Sequence, residues 1–307
     1  MAIAIAAFAM AAVTAAANGV EPAAKSPAAP ATGQPVSGLP FESRGGCVVL
    51  HALIDDRHDV RLLLDTGDAT GLTLHESFAR RTGLTLGDPV IQEARGIAGA
   101  ARVEVRHGRV GSLAIGEIRW RDVDFLAAPP SPADGVGRCG DLDGFLGAAL
   151  LEDLRVTLNY PEHRMALERG GGRSGGSRLR LVGLRPLVEV HLQDGAPLVA
   201  LVDTASAASL IDASKRARTI AGTGATVRLV DGAGAGIAAA PRRLEGLEAG
   251  GSILDPLQVI SLDLAGRLAA LLPRDAPRVS LVLGSDALSR HVVVFDFPNG
   301  EFRLQDP

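Results

Sequence analysis

Lysine is almost missing from this chain. Of 31 basic residues only Lys25 and Lys215 are lysines; the arginines are spread along all 307 residues, and 35 acidic residues leave a formal net charge of -4. Without a basic cluster there is no electrostatic footprint for nucleic acid or another polyanion, so the charges read as solvated surface. Cysteine is equally scarce. Cys47 and Cys139 stand far apart with no clustered Cys/His pattern, which excludes a zinc site. In an oxidising compartment they could form one bridge closing a long loop in the first half; as buried free thiols they would only pack. Long apolar runs are absent except at the N-terminus, and that one, Ala2 to Ala17, is too short for a comfortable membrane span. Ala15-Ala16-Ala17 before Asn18 fits a small-residue cleavage pattern, so residues 1–40 read as a signal-like segment and an Ala/Pro-rich tether. The positive charge expected after Met1 is missing, and a disordered Ala-rich leader is the competing reading. Export to the periplasm or the exterior is expected, with no stable membrane span once the leader is removed.

What is present is globular. Hydrophobic residues make up 47% of the chain and charged residues 21%, and the length suits two domains with a real core in each. Two stretches organise it: Arg61 to Leu64 running into Asp65-Thr66-Gly67, and Leu198 to Val202 running into Asp203-Thr204-Ala205. Each is an apolar run bounded by turn residues, the pattern of a buried strand. An aspartate at the end of such a strand carries a costly charge, so the fold must supply hydrogen bonds, a partner or a proton.

Around these stretches the pattern is β-rich. Cys47 to Ile54 and Val60 to Leu64 flank Asp55-Asp56-Arg57-His58-Asp59 as strand, turn, strand; turn chemistry accounts for the polar cluster better than a metal does. Leu72 to Leu74 form another strand, and His75 to Thr82 a short helix stopped by Gly83, with His75 expected exposed in its first turn. Gly96-Ile97-Ala98-Gly99 tip a hairpin, and Gly144 to Gly147 are expected to open a helix over Ala148 to Leu154. Glu168 to Gly176 form a Gly-rich linker, which lacks the Lys that a phosphate-binding loop needs. Lobes are therefore placed at 41–168 and 178–307, separated by a linker at 169–177.

Beyond the linker the first half recurs. Asp212 to Arg218 match the short helix, and a second glycine-tipped hairpin carries Gly232, Gly234 and Gly236. Asp65 and Asp203 stand 138 positions apart; Gly147 and Gly284 stand 137 apart, as do Pro161 and Pro298. A near-constant interval over more than ninety residues reads as a tandem duplication of one β-rich unit.

The Asp-Thr-Gly triplet after an apolar strand, the following hairpin and the apolar-apolar-Gly elements Phe145-Leu146-Gly147 and Val282-Leu283-Gly284 resemble the aspartic protease superfamily, specifically tandem retropepsin-like domains. The resemblance implies an all-β chain of two homologous β-barrel lobes with short helices, a monomer that is an internal pseudo-dimer. It implies that Asp65 and Asp203 meet as a catalytic dyad sharing one proton, that Thr66 and Thr204 lock the two loops, and that Gly67 lets the main chain approach closely. Gly147 and Gly284 would support the loops, and Gly96 to Gly99 and Gly232 to Gly236 would be mobile flaps over a peptide or protein substrate. An aspartic endopeptidase needing no metal or organic cofactor follows. Two departures are visible: Ala205 stands where the family has Gly, with a methyl that crowds the loop or forces an unfavoured backbone, and Asp68 adds a third acid. They motivate a second reading, a non-catalytic peptide- or protein-binding module. A third is a structural secreted β protein in which the two aspartates cap turns.

Overall fold

The computed structural model describes residues 4–6, 12–14, 36–130, 139–170, 175–222, 226–232 and 234–307. Most of the signal-like leader and the tether lie outside the described residues, as do 131–138, within a stretch from Pro129 to Gly140 that reads as a Pro/Gly-rich loop, and 171–174 of the linker. Of the leader, the backbones of Ala4–Ala6 and Ala12–Thr14 lie along Val227–Val230 and Val90–Arg95. Among the described residues no helix is long and apolar enough to cross a membrane.

The chain folds as two β-rich lobes with the same strand order. In the first, Cys47–Ile54 pairs with His58–Asp65 through a tight turn in which Asp55 and Asp56 adopt left-handed φ of 51° and 57°. Aspartate tolerates that conformation. Asp55 also accepts the Ser112 N–H at 2.9 Å and Asp56 pairs with Arg119, so the Asp cluster is turn chemistry. His58–Asp65 has solvent on neither face at its end: Leu62, Leu63 and Leu64 are all fully buried.

The element that positions each aspartate is a short strand inserted between two others. Gly144–Gly147 runs parallel to His58–Asp65 on one side and antiparallel to Leu72–His75 on the other. In the second lobe Leu281–Leu283 is inserted in the same way between Pro197–Val202 and Ser209–Asp212. The chain leaves the first strand at the aspartate, turns over the inserted strand and returns, which places the aspartate on a turn whose base is buried.

The lobes are joined by a sheet that neither half could form alone. Its order is Val36–Pro40, Arg164–Arg169, Leu154–Asn159, Val292–Asp296, Glu301–Gln305 and Ser177–Val182. At its centre Thr157 lies opposite Val294, 137 positions on, the interval seen between the halves of the sequence. The register runs symmetrically to either side of this pair, from Arg155 opposite Asp296 to Asn159 opposite Val292. Arg155 donates from Nε to Asp296 across the same seam at 2.8 Å, where the Asp296 side chain is 1% exposed. From sequence these strands are closing hairpins within each half; their edge-to-edge junction depends on tertiary pairing.

Three local expectations are corrected. Ala148–Leu150 is a single 3-10 turn and not a helix reaching Leu154, because Leu154, Val156 and Leu158 alternate inward as a strand. Ala213–Arg218 is also 3-10, capped by Asp212 accepting the Ser214 N–H at 3.0 Å. His75 is not exposed: it is 6% accessible and meets Phe145 edge-on at 5.8 Å, because it ends a buried strand as well as preceding the helix Glu76–Arg81. The two cysteines are bridged, with Cα atoms 5.5 Å apart and 92 positions between them. Closing a loop of that length constrains the unfolded chain by on the order of 4 kcal/mol in the chain-entropy picture.

Candidate functional site

Asp65 and Asp203 come together at the lobe interface, on turns that mirror each other. Asp65 Oδ1 accepts the N–H groups of Gly67 at 2.9 Å and Asp68 at 3.1 Å. Asp203 Oδ1 accepts those of Ala205 at 3.0 Å and Ser206 at 2.9 Å. Each carboxylate thus has one oxygen fixed by its own turn. The Asp203 carboxylate lies against the main chain of the opposite loop: a methyl placed on Gly67 would be 2.7 Å from both its Cγ and its Oδ2. That contact is the reason the position needs a glycine.

Two threonines bolt the loops together. Thr66 Oγ1 donates to Val202 O at 2.8 Å and accepts the Thr204 N–H at 3.1 Å. Thr204 Oγ1 donates to Leu64 O at 2.7 Å and accepts the Thr66 N–H at 3.1 Å. All four bonds cross between lobes, and both side chains are fully buried. The inserted strands hold the turns from beneath. Ala148 N donates to Asp68 O at 2.9 Å, and Ser285 N to Ser206 O at 2.7 Å. A Cβ on Gly147 would be 2.0 Å from Thr70 O, and one on Gly284 2.8 Å from Ala208 O, so the turns can settle this closely only over glycine.

Electrostatics follow from burial. Asp65 is 6% exposed and Asp203 is fully buried. Burial first, then the Asp203 charge, then that of Asp68, push the Asp65 carboxyl well above the usual carboxylate range. Two buried carboxyls whose charges act on each other cannot cheaply ionise together. Asp68, 7% exposed, is raised by burial and held by the Thr70 N–H at 2.9 Å and the Thr70 hydroxyl at 2.5 Å.

The overall fold has a counterpart among solved structures. The crystal structure of the aspartic proteinase from Irpex lacteus superposes with a TM-score of 0.51 at 12% identity, over 89% of this chain and 97% of that one. The chain has the aspartic protease fold. Its first lobe also matches the aspartyl protease family over residues 50–150. Comparison with curated proteins gave no match.

Within this aspartic protease fold the second loop's alanine is accommodated. Ala205 does not have a left-handed φ, and it is buried in a small apolar cluster with the Cys47–Cys139 bridge, Val49 and Leu63. The unfavoured backbone is thus not needed, and the residue belongs to the apolar cluster of the bridge. The asymmetry makes a sharp prediction. Ala205→Gly is expected to cost only about 1 kcal/mol, a lost methyl contact plus chain entropy. Gly67→Ala, whose methyl meets the Asp203 carboxylate, is expected to lose far more stability; parallel urea unfolding of the two variants checks the difference.

The glycine-tipped hairpins stand where the sequence places them, on strands Val90–Arg95 and Ala100–Ile115 and on Val227–Val230 and Gly236–Leu244. Their tips close on each other. Ala98 N donates to Asp231 Oδ2 at 2.7 Å, and a Cβ on Gly99 would be 3.1 Å from that of Ala235. Ile97, 2% exposed, is sunk into the second lobe's apolar cluster with Leu229, Leu264 and Leu268. Arg267 donates to Ile97 O at 2.9 Å from the helix Leu264–Ala269. Gly232, Gly234 and Gly236 lie at the second tip, where Gly234 N donates to Asp231 O at 2.9 Å. Asp231, Arg267 and Arg185 are the residues that sequence reading passed over. Asp231 looked like an ordinary turn residue, and Arg267 one arginine among many. Arg185 likewise reads as one of the scattered arginines.

Proposed function

We propose that the protein is an aspartic endopeptidase. The observation that carries the reading is the pair of buried aspartates on mirrored turns, cross-bolted by Thr66 and Thr204 and held close enough that only glycine fits at position 67. One carboxylate, ionised, accepts a proton from a water lying between the two. The water oxygen bonds to the scissile carbonyl carbon while the other carboxyl gives its proton to the carbonyl oxygen. Collapse of the tetrahedral species breaks the C–N bond: the protonated carboxyl gives its proton to the leaving amine, the other carboxylate takes one from a hydroxyl on the tetrahedral carbon, and the dyad again holds one. The raised proton affinity of Asp65 supports this, because it keeps one member protonated where the other is ionised.

The substrate is a peptide or protein segment in extended form, taken between the loops and the two hairpins, whose edges suit main-chain pairing. The chain acts as a monomer, with no cofactor, after export; the Cys47–Cys139 bridge supports an oxidising compartment. The test is digestion of a diverse peptide pool by the purified protein across acid to neutral pH, with and without a statine-type peptide. Cleavage blocked by the statine peptide is the expected result. Binding of that peptide with no product at any pH would instead make the fold a binding module.

A further inference from the structure

The pseudo-twofold relation between the two loops is broken at one pair of positions, and the break involves charge. On the Asp65 side the fourth loop residue is Asp68; 138 positions later stands Ser206. Asp68 ties down Thr70 with its carboxylate, whereas Ser206 makes the corresponding local bond with a neutral hydroxyl, donating to Ala208 O at 2.8 Å. The supporting residue from the opposite lobe differs as well. Arg185, 2% exposed, reaches across the interface and donates from Nε to Gly67 O at 3.0 Å. Its Nη1 is fixed by Gly183 O at 3.2 Å and Leu271 O at 3.1 Å. Its counterpart in the first lobe is Cys47, whose bridge packs an apolar surface against Ala205. One loop therefore has an extra acid and a buried guanidinium; the other has a hydroxyl and a disulfide.

We propose that Arg185 and Asp68 act as one charge couple, placed on one side of the dyad only, that positions the Asp65 loop and sets the pH range in which Asp65 and Asp203 hold a single proton. This rests on the endopeptidase reading for its catalytic consequence but not for its charge balance. Three carboxylates, Asp65, Asp68 and Asp203, are at most 7% exposed at this interface. Burial pulls the Arg185 guanidinium below its ordinary range, and the charges of Asp68, Asp65 and Asp203 oppose that fall. The half-buried acid Asp286 accepts the Ser209 N–H and hydroxyl, at 3.0 and 2.7 Å. Asp68 gives the turn its shape and adds its charge to the rise of the Asp65 carboxyl, and Arg185 opposes that charge. Arg185 is thus a positioning residue, acting through the Gly67 carbonyl and through its field.

The sign of each change is fixed. Arg185→Gln removes a positive charge and raises the proton affinity of the dyad, moving the profile of kcat/KM to higher pH by about one unit. Asp68→Asn removes a negative charge and moves it the other way. The double variant Asp68→Asn/Arg185→Gln removes both and is expected to return to the wild-type position, although with a lower rate from loss of the Gly67 contact. Arg185→Lys keeps the charge, so its profile stays in place while its rate falls. A purely structural role predicts no restoration in the double variant. The same titration is read without turnover by NMR of carboxyl-13C-labelled aspartates, so a protein that cleaves nothing still tests the couple. An unshifted Asp65 titration in Asp68→Asn overturns the proposal, as does a double variant displaced as far as Arg185→Gln. Should Arg185→Gln not fold, Asp68→Asn and Arg185→Lys decide the matter alone.

Discussion

Asp203→Asn and Asp65→Asn are each expected to lower kcat/KM for peptide cleavage by at least about a thousandfold while leaving the fold intact. Loss of a positioned acid or base alone removes about 100- to 10,000-fold, and here one substitution disables the shared-proton chemistry of both. The fold survives because an amide oxygen can still accept the two N–H groups that now bond Oδ1 of each aspartate. Stability makes the prediction two-sided. Asp65 has its proton affinity raised by burial first, then by Asp203 and Asp68, whereas in the unfolded chain it ionises in the ordinary carboxylate range. Between those two values the folded protein binds the additional proton, so stability falls as pH rises, and above the raised value the deficit is complete. Asp65→Asn removes that deficit. It is expected to be inactive and at least as resistant to urea as wild type at neutral pH, with any advantage vanishing below the ordinary carboxylate range. Retained cleavage in either variant would falsify the dyad.

Thr66→Val should damage the molecule by another route. Valine keeps the shape and deletes the hydroxyl, leaving Val202 C=O and Thr204 N–H without the bonds they now make at 2.8 and 3.1 Å. Both groups lie where exposure is zero, so each orphan costs roughly 1–3 kcal/mol. Activity is expected to drop further than stability alone explains, since the loops that set the spacing of Asp65 and Asp203 lose half of their crossed bonds. Thr66→Ser retains the hydroxyl and should recover most of both properties. Urea midpoints and peptide-cleavage rates for the two variants separate these effects; a Ser variant that loses as much as Val would refute the crossed hydrogen bonds as the cause.

The sequence by itself determined the things that local chemistry and register can state. An apolar run ending in Asp-Thr-Gly must bury its strand and leave an acid at its end, and a second copy at a constant interval predicts that the turn occurs twice. The glycines at 67, 147 and 284 were legible for the same reason: each is at a point of close main-chain approach, and a methyl there would meet a carboxylate or a carbonyl. Only the tertiary structure decided how the halves share a sheet, which tips clasp, and where the charge goes. Strand edges such as Leu154–Asn159 and Val292–Asp296 have no sequence mark for a partner far along the chain. His75 reads as a helix-start residue until Phe145 covers it. Arg185 reads as one solvated arginine among many until burial at an interface with three buried acids makes its charge count, because a field screened at a surface is screened far less in the interior.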